Sequence, residues 1–425
     1  MHVSLYLPLR RKAVDRKQFI ILILILGFIT ALGAFSIDMY LPAFTAIAAD
    51  LHTDVSGVQL SLASYFFGIS AGQLLYGPLL DRYGRKKPLF IGLSVYVVAS
   101  LACAVTHSIS LLIALRLLQA LGGCAGIVAA RALVRDLFPV TEIAKVLSLL
   151  LLVLIVSPML APTIGGYVST YWGWHYIFII LAAIAVVVIA ACAIWLPAGR
   201  EPDASLSLKP KHIAANYYSV FKHPQFYVYA ITGGIVLGSQ YAYLSGSSYV
   251  FISYYHVDRT HFGYIFAFIA AGLIAFSQLN SLVLKKYSSE GLMKIALIIQ
   301  CIIGVGLFGV TYSGHMNLAG MIGTIFIFLC IQGFITPNAA ALSLAPFAKQ
   351  AGIASALMGF IQLGIGSLSS AIVSFLNEGR LSALPMTGVM MAFTLLGLIY
   401  LLISSKNINK QEFTEPVLDE ISIPE

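Results

Sequence analysis

Asp38 and Arg116 are the two formal charges that fall inside long apolar stretches of this sequence. Asp38 stands in Phe35-Ser36-Ile37-Asp38-Met39-Tyr40-Leu41-Pro42, and Arg116 in Leu112-Ile113-Ala114-Leu115-Arg116-Leu117. If these stretches cross a membrane, each charge is costly to place there and marks a functional position by default. A carboxyl group so placed can take up or release a proton as water or positive charge enters its surroundings. At about 1.5 Å per residue, Asp38 lies roughly 27 Å from the start of its stretch, and Arg116 roughly 10 Å from the far end of its own. Both therefore belong to the same half of a bilayer, where they could share one cavity. Two plainer readings stay open. Asp38 could end its helix at the water surface, although apolar residues resume at Leu41-Pro42-Ala43-Phe44 and persist to Ala49, which fits a longer, tilted or broken helix. Arg116 could be satisfied by helix carbonyls, although an arginine at that depth does not snorkel easily and needs a partner or a water-filled cavity.

A second chemistry-bearing run is Gly77-Pro78-Leu79-Leu80-Asp81-Arg82-Tyr83-Gly84-Arg85-Lys86-Lys87. Its glycines permit a tight, closely packed turn, and Asp81 can pair with Arg85 or face a helix N-terminus. A third is Ser157-Pro158-Met159-Leu160-Ala161-Pro162-Thr163-Ile164-Gly165-Gly166, where two prolines each remove a backbone donor and a glycine pair lets a neighbour approach. Ordinary kinked packing explains that run equally well, and the same holds for Gly122, Gly123 and Gly126.

The elements that must position these residues follow from composition. Of 425 residues 59% are hydrophobic and 10% charged, more apolar surface than a soluble core could hide. Apolar runs long enough to cross a hydrocarbon core recur along the chain, and lipid offers backbone amides no partner, so they form helices. The expected spans are 19–41, 57–80, 88–106, 109–133, 143–167, 175–197, 226–250, 262–284, 292–312, 318–341, 350–376 and 384–404. Assigning the connections alternately gathers nearly all lysines and arginines on one side, with Arg259 and Arg380 on the other, so both termini are expected in the cytoplasm. The net charge of +8 is thus a topology signal and does not point to nucleic acid. The basic residues Arg10, Arg11, Lys12, Arg16 and Lys17 precede a first run too long for a signal-peptide core, so that run is expected to be an uncleaved helix. The five cysteines lie within apolar runs without metal or disulfide spacing.

The chain thus divides into a six-helix bundle (1–197), a proline-punctuated cytoplasmic linker (198–225), a second six-helix bundle (226–405) and an acidic tail (406–425) expected to be mobile. Leu80-Asp81-Arg82-Tyr83-Gly84 has a degraded counterpart in Leu284-Lys285-Lys286-Tyr287-Ser288, which supports two related halves with a site between them near the midplane.

The sequence resembles the major facilitator superfamily, and specifically the twelve-helix Bcr/CflA-type drug-resistance transporters, which are drug:proton antiporters. The resemblance is carried by the Gly77–Lys87 run, Ser36 to Phe44, Arg116 to Gln119, Ala161 to Gly166, Pro337-Asn338-Ala339-Ala340-Ala341 and Ala354 to Phe360. It implies an all-α membrane protein with twelve transmembrane helices in the major facilitator fold, seated in a bacterial inner membrane. It makes Asp38 the protonatable cavity acid and Arg116 the arginine tied to proton coupling. Asp81, Arg85 and Asp136, within a motif that includes Gly77, Arg82 and Gly84, would lock one state on the cytoplasmic side. Pro158, Pro162, Gly165 and Gly166 would belong to the antiporter motif, with Ala161 departing from the glycine usual there. No cofactor is implied beyond the proton gradient. Partners would be a small drug or metabolite, protons and the bilayer, with no nucleic acid, and the chain is expected to act as a monomer.

An intramembrane enzyme is the first rival, but the nine histidines fall in expected loops or helix ends, and no HExxH or paired intramembrane acids appear. A proton-coupled uptake symporter on the same fold is the stronger alternative, because no residue by itself fixes the direction of transport. The cavity is expected to be aromatic and sparsely charged, with Tyr40, Tyr65, Phe66, Gln73, Gln119, Tyr241 and Gln362 as candidate lining.

Overall fold

The structure is a computed structural model in which residues 16–379, 382–408 and 413–414 are described. The expectations for Arg10, Arg11 and Lys12, for Arg380, and for the tail beyond 414 lie outside the described residues. Among the described residues the secondary structure is helical throughout. The first half contains α1 (Arg16–Asp38), a 3-10 turn at Leu41–Ala43, the short α2 (Phe44–Asp50), α3 (Val55–Tyr83), α4 (Lys86–Ala104), α5 (Ile109–Leu137), α6 (Val140–Tyr171) and α7 (His175–Trp195). Then come α8 (Pro210–Phe221) and the second half: α9 (Pro224–Ser248), α10 (Arg259–Val283), α11 (Ser289–Tyr312), α12 (Leu318–Leu344), α13 (Ala351–Asn377) and α14 (Leu384–Ser404). Ten of the described helical segments are long and apolar enough to cross a membrane. The remaining long helices, α6 of 32 residues and α9 of 25, reach across the same thickness at about 1.5 Å per residue.

Within the first half α3 and α4 pack on α5, α4 on α7, and α1 on α6 and α7. The second half repeats the plan, with α9 against α12, α13 and α14, α10 against α12, and α11 against α12 and α14. The halves meet along two seams, α3 with α13 and α6 with α10. Cross-seam hydrogen bonds run from Ser374 Oγ to the Ser56 carbonyl (2.5 Å), Ser367 Oγ to Ala63 (2.8 Å) and Ser70 Oγ to Phe360 (2.8 Å). Serine hydroxyls suit such a seam, because they let two backbones approach closely and satisfy carbonyls where lipid supplies no donor.

The linker contains a helix that the sequence reading did not anticipate. Pro210 opens α8 at its first turn, where a missing amide proton costs nothing. Ile213, Tyr217 and Val220 recur at helical spacing, and Val220 is fully buried against Phe226, Ala230, Ala354 and Leu357 of the second half. The Tyr217 hydroxyl donates to the Leu74 carbonyl of α3 (3.1 Å). In the tail, Thr414 exchanges two hydrogen bonds with Gln225, so that position is held to the start of α9. We call the end carrying the α3–α4 turn and α8 the basic end.

Candidate functional site

The break in α1 builds the first part of the site. Pro42 has no amide proton to offer the Asp38 carbonyl, so the α-helix stops, and the chain tightens through Tyr40 N to Ile37 O (3.3 Å) and Ala43 N to Tyr40 O (3.1 Å). Met39 to Phe44 are all buried, and Asp38 itself is 5% exposed. The two sequence readings of Asp38 are thereby separated: it sits within a long broken helix and not at a water surface. No hydrogen bond or ion pair to its carboxylate is formed among the described residues. The Leu41–Ala43 turn that follows Asp38 packs against α9 and α10, which sets the break against the second half, with Tyr241 and Tyr243 of α9 within electrostatic range of the carboxylate.

Arg116 is oriented differently. Its Nη1 donates to Gln119 Oε1 (2.5 Å) and its Nη2 to the Ser36 carbonyl (2.9 Å). That carbonyl is free because Tyr40 N, its partner in a continuous helix, has turned to Ile37. Gln119 passes the contact to Ser100 Oγ (2.7 Å), and Ser36 Oγ meets the Tyr96 hydroxyl (2.6 Å). The rings of Tyr65, Tyr40 and Phe178 surround the guanidinium at 4.1, 4.5 and 5.7 Å. Arg116 is fully buried, with Nε unpartnered, and forms no ion pair with Asp38. The expected common cavity is therefore replaced by two environments, a closed nest within the first half for Arg116 and the interface between halves for Asp38. Tyr40, Tyr65 and Gln119 belong to the nest. Ser36, Tyr96 and Ser100 complete it, and sequence reasoning missed them because small polar residues in apolar helices carry no signal of which face they occupy.

Phe66, Gln73, Tyr241 and Gln362 converge at the junction of α3, α9 and α13. Phe66 meets Tyr241 edge-on across the halves at 4.3 Å. Gln73 lies over Gly359, and Gln362 lies against Gly233 and Gly234. Tyr243, two residues beyond Tyr241 and also near Asp38, was not anticipated.

At the basic end, Arg85 donates to Asp81 Oδ1 (2.6 Å) and to Asp136 Oδ2 (2.6 Å). Burial alone would lower the Arg85 pKa, but Asp136 and Asp81 outweigh it and raise it. The linker is tied to the same cluster: Arg200 N donates to Asp136 Oδ2 (3.2 Å), Asp203 N to the Asp81 carbonyl (3.2 Å) and Arg82 to the Leu206 carbonyl. Gly84, at φ +79°, turns the chain under Pro202, a conformation L side chains rarely adopt. A Cβ at Gly77 would meet the Tyr217 hydroxyl at 3.8 Å, an ordinary contact. Beside this cluster lies a cavity of about 530 Å³ between α3 and α5 on one side and α13 on the other, roofed by Leu206, Ile213 and Tyr217. The C-terminal counterpart of the turn has no acid; Ser288 there caps α11 by accepting from Gly291 N.

The opposite end is closed. α6 carries Pro158 and Pro162 and then presents Gly165 to the Met39 carbonyl of α1 and Gly166 to the Arg259 carbonyl of α10. A Cβ at position 166 would stand 2.6 Å from that oxygen, and one at Gly263 would stand 2.6 Å from Thr163 Oγ1. Nearby, Gln59 Nε2 donates to the Ser245 carbonyl (3.0 Å) and Asn377 Nδ2 to Gln59 Oε1 (3.1 Å), joining the halves. Adjacent glycines of one helix thus face the Asp38 segment and the other half.

Comparison with known proteins agrees with this architecture. The family model of the Major Facilitator Superfamily matches residues 25–371. An uncharacterized MFS-type transporter of Bacillus subtilis is 34% identical over 90% of this chain and 94% of its own. A bicyclomycin resistance protein homolog of Haemophilus influenzae is 30% identical over 93% and 99%, and multidrug resistance protein D of Escherichia coli is 28% identical over 91% and 95%. Among solved structures, a bacterial homolog of the human lysosomal transporter Spinster, inward-facing and occupied, superposes with a TM-score of 0.71 at 15% identity, covering 96% of this chain and 100% of that one. A D-xylose–proton symporter superposes at 0.73 and 14%, covering 94% and 100%. At such identities the superpositions establish the fold alone.

Proposed function

The chain belongs to the major facilitator superfamily, and from that premise we propose that it is a proton-coupled secondary transporter exporting small amphipathic drugs or metabolites by alternating access. The observation that carries the reading is Asp38, a buried carboxylate without an ion-pair partner among the described residues, held at a helix break that packs against the other half of the molecule. A proton on Asp38 and a positively charged substrate beside it are mutually exclusive on electrostatic grounds, so binding of one expels the other. Arg116 takes part by holding the Ser36 carbonyl and hence the break that positions Asp38. Asp81, Arg85 and Asp136 hold the α3–α4 turn and the linker in the arrangement seen here, and Gly165 and Gly166 permit closure of the opposite end.

The bacterial inner membrane is the proposed site, with the basic end in the cytoplasm, in accord with the one-sided distribution of lysine and arginine. One copy contains all the residues the mechanism uses, and the proton gradient is its energy source. A proton moving inward down about 150 mV releases roughly 3.5 kcal/mol, which sustains a gradient of about 300-fold for a neutral substrate exchanged one for one. For a singly charged cation the electrical contribution cancels. The resistance-protein names of the relatives favour export over uptake.

The test is Asp38→Asn in inverted vesicles. Gradient-driven accumulation of a cationic drug is expected to vanish while passive exchange persists, and the proton release seen on drug binding to the wild type in weak buffer is expected to disappear. Undiminished uphill transport by the variant would place coupling elsewhere.

A further inference from the structure

We infer that Gln73 and Gln362 form an uncharged hydrogen-bonding subsite for carbonyl, ether or hydroxyl groups of the substrate, separate from the acid at Asp38. The inference deepens the export reading and rests on it for the name substrate.

Two glutamine amides meet the junction of α3, α9 and α13, and each lies in a cradle left by a glycine. A Cβ at Gly359 would stand 2.9 Å from both the amide carbon and Oε1 of Gln73; one at Gly233 would stand 3.3 Å from Gln362 Nε2. Neither cradle serves an internal bond. Gln362 Nε2 is buried without a partner, and the Gln73 amide makes no hydrogen bond among the described residues although the residue is only 4% exposed. Leaving a buried amide unpaired costs about 1–3 kcal/mol, and such a group in a folded protein asks for an explanation. The other buried glutamines nearby are used internally: Gln300 donates to Phe328 O and Gln332, and Gln332 donates to Gln240. Gln300 Oε1 and Asn377 Oδ1 are also buried without a partner, but each of those amides donates elsewhere, whereas at the α3–α9–α13 junction the side chains of Gln73 and Gln362 form no hydrogen bond among the described residues.

Their position relative to Asp38 fixes the shape of the ligand. Along α9, Gln362 sits at the level of Gly233, whereas Asp38 acts on Tyr241 and Tyr243. Eight to ten helical residues separate these levels, roughly 12–15 Å. Between them Phe66 and Tyr241 form an aromatic step, with Gly366 giving Tyr241 its room. A molecule lying along this seam meets an acid at one end, rings in the middle and two amides toward the basic end. Amides donate and accept without charge, so this second site selects neutral polar groups and remains indifferent to membrane potential. A substrate with carbonyl or hydroxyl groups but no cation can engage it through hydrogen bonds alone, with no contribution from the charge on Asp38.

Two probes separate the sites. Chloramphenicol is neutral and carries an amide carbonyl and hydroxyls; tetraphenylphosphonium is a cation with no hydrogen-bonding group. Equilibrium binding of each to the detergent-solubilised protein is measured for the wild type, Gln362→Leu, Gln73→Leu and Asp38→Asn. Gln362→Glu, which keeps the shape, guards against loss through misfolding, together with the melting temperature of each variant. The expected result is a loss of about tenfold or more in chloramphenicol affinity for Gln362→Leu, corresponding to one lost hydrogen-bonding partner, a similar loss for Gln73→Leu, and tetraphenylphosphonium binding within about twofold of wild type. Asp38→Asn is expected to give the reverse pattern. Equal losses for both probes, no loss for either, or no chloramphenicol binding to the wild type would overturn the subsite. Absence of gradient-driven transport in vesicles with this binding pattern intact would overturn the export reading alone.

Discussion

Arg116 Nη2 donates to the Ser36 carbonyl at 2.9 Å, two residues before Asp38 along the chain. The residue that bears the permanent charge thus reaches the titratable one through a backbone oxygen exposed by a helix break, and not through an ion pair. A lysine at 116 would keep the charge but lose the planar fork that reaches Ser36 and Gln119 together and stacks between Tyr65 and Tyr40. Charge-assisted hydrogen bonds are worth about 1.5–3 kcal/mol each. We therefore predict that Arg116→Lys slows gradient-driven transport about tenfold or more and lowers the melting temperature, while the affinity for a neutral substrate stays near wild type. Unchanged transport and melting would show that the nest does not hold the break.

At the basic end, the two carboxylates on Arg85 are not equivalent. The Asp81 side chain is 49% exposed and that of Asp136 is 14% exposed, and Asp136 also accepts from Arg200 N. An exposed pair is screened and contributes about 0.2–1 kcal/mol. Asp81→Asn is predicted to reduce transport a few-fold with equilibrium drug binding retained, and Asp136→Asn to reduce it further and free the linker to proteolysis near Arg200. If Asp81→Asn were the more damaging of the two, the exposed carboxylate would have a role beyond this cluster.

The adjacent glycines of α6 give a paired test. In Gly166→Ala the new methyl meets the Arg259 carbonyl, and the α6–α10 closure must loosen; in Gly165→Ala it meets the Met39 carbonyl and displaces the Asp38 segment. Spin labels at Thr170→Cys and His261→Cys are expected to report a longer distance for Gly166→Ala, with drug binding preserved. For Gly165→Ala we expect coupling to fail. Identical phenotypes would mean that both act through general loss of packing.

Asp258 caps α10 by accepting from Thr260 N (2.8 Å) and the Thr260 hydroxyl, and these bonds hold its pKa below the ordinary carboxylate range. A depressed carboxylate contributes its stabilisation above the unfolded value, about 3.9, and loses it only as pH falls through the lower folded value. Between pH 8 and 5 the cap next to Arg259 therefore stays ionised. Transport measured for Asp258→Asn is expected to keep the wild-type pH profile over that range; a shifted profile would bring Asp258 into the coupling.

The helices were legible because lipid forces every backbone group to pair within its own segment, so long apolar runs have one outcome. A longer or broken first helix was one of two readings left open for Asp38, because apolar residues resume at Leu41 and persist to Ala49; the break itself follows from Pro42. What escaped the sequence was orientation. Arg116 and Asp38 occupy similar depths, yet whether two side chains share a space depends on which face of each helix they leave from, and an apolar helix in lipid has weak amphipathic contrast to reveal it. Tyr40, Tyr65 and Gln119 were expected to line a cavity for the same reason, and turned out to enclose a charge. α8 escaped because one short helix among prolines and lysines turns inward only Ile213, Tyr217 and Val220, while its other apolar residues, Ala214, Ala215, Tyr218 and Phe221, are exposed and blur the pattern.

The docking of α8 changes how far the halves can part. A loose linker would be a slack leash that permits any rocking angle. Here Val220 is sunk into the second half, the Tyr217 hydroxyl holds α3 of the first, and only Lys222 and His223 separate α8 from α9. Two extended residues span about 7 Å. The leash is therefore taut, and the basic end cannot open beyond a few ångströms until Tyr217 lets go of Leu74.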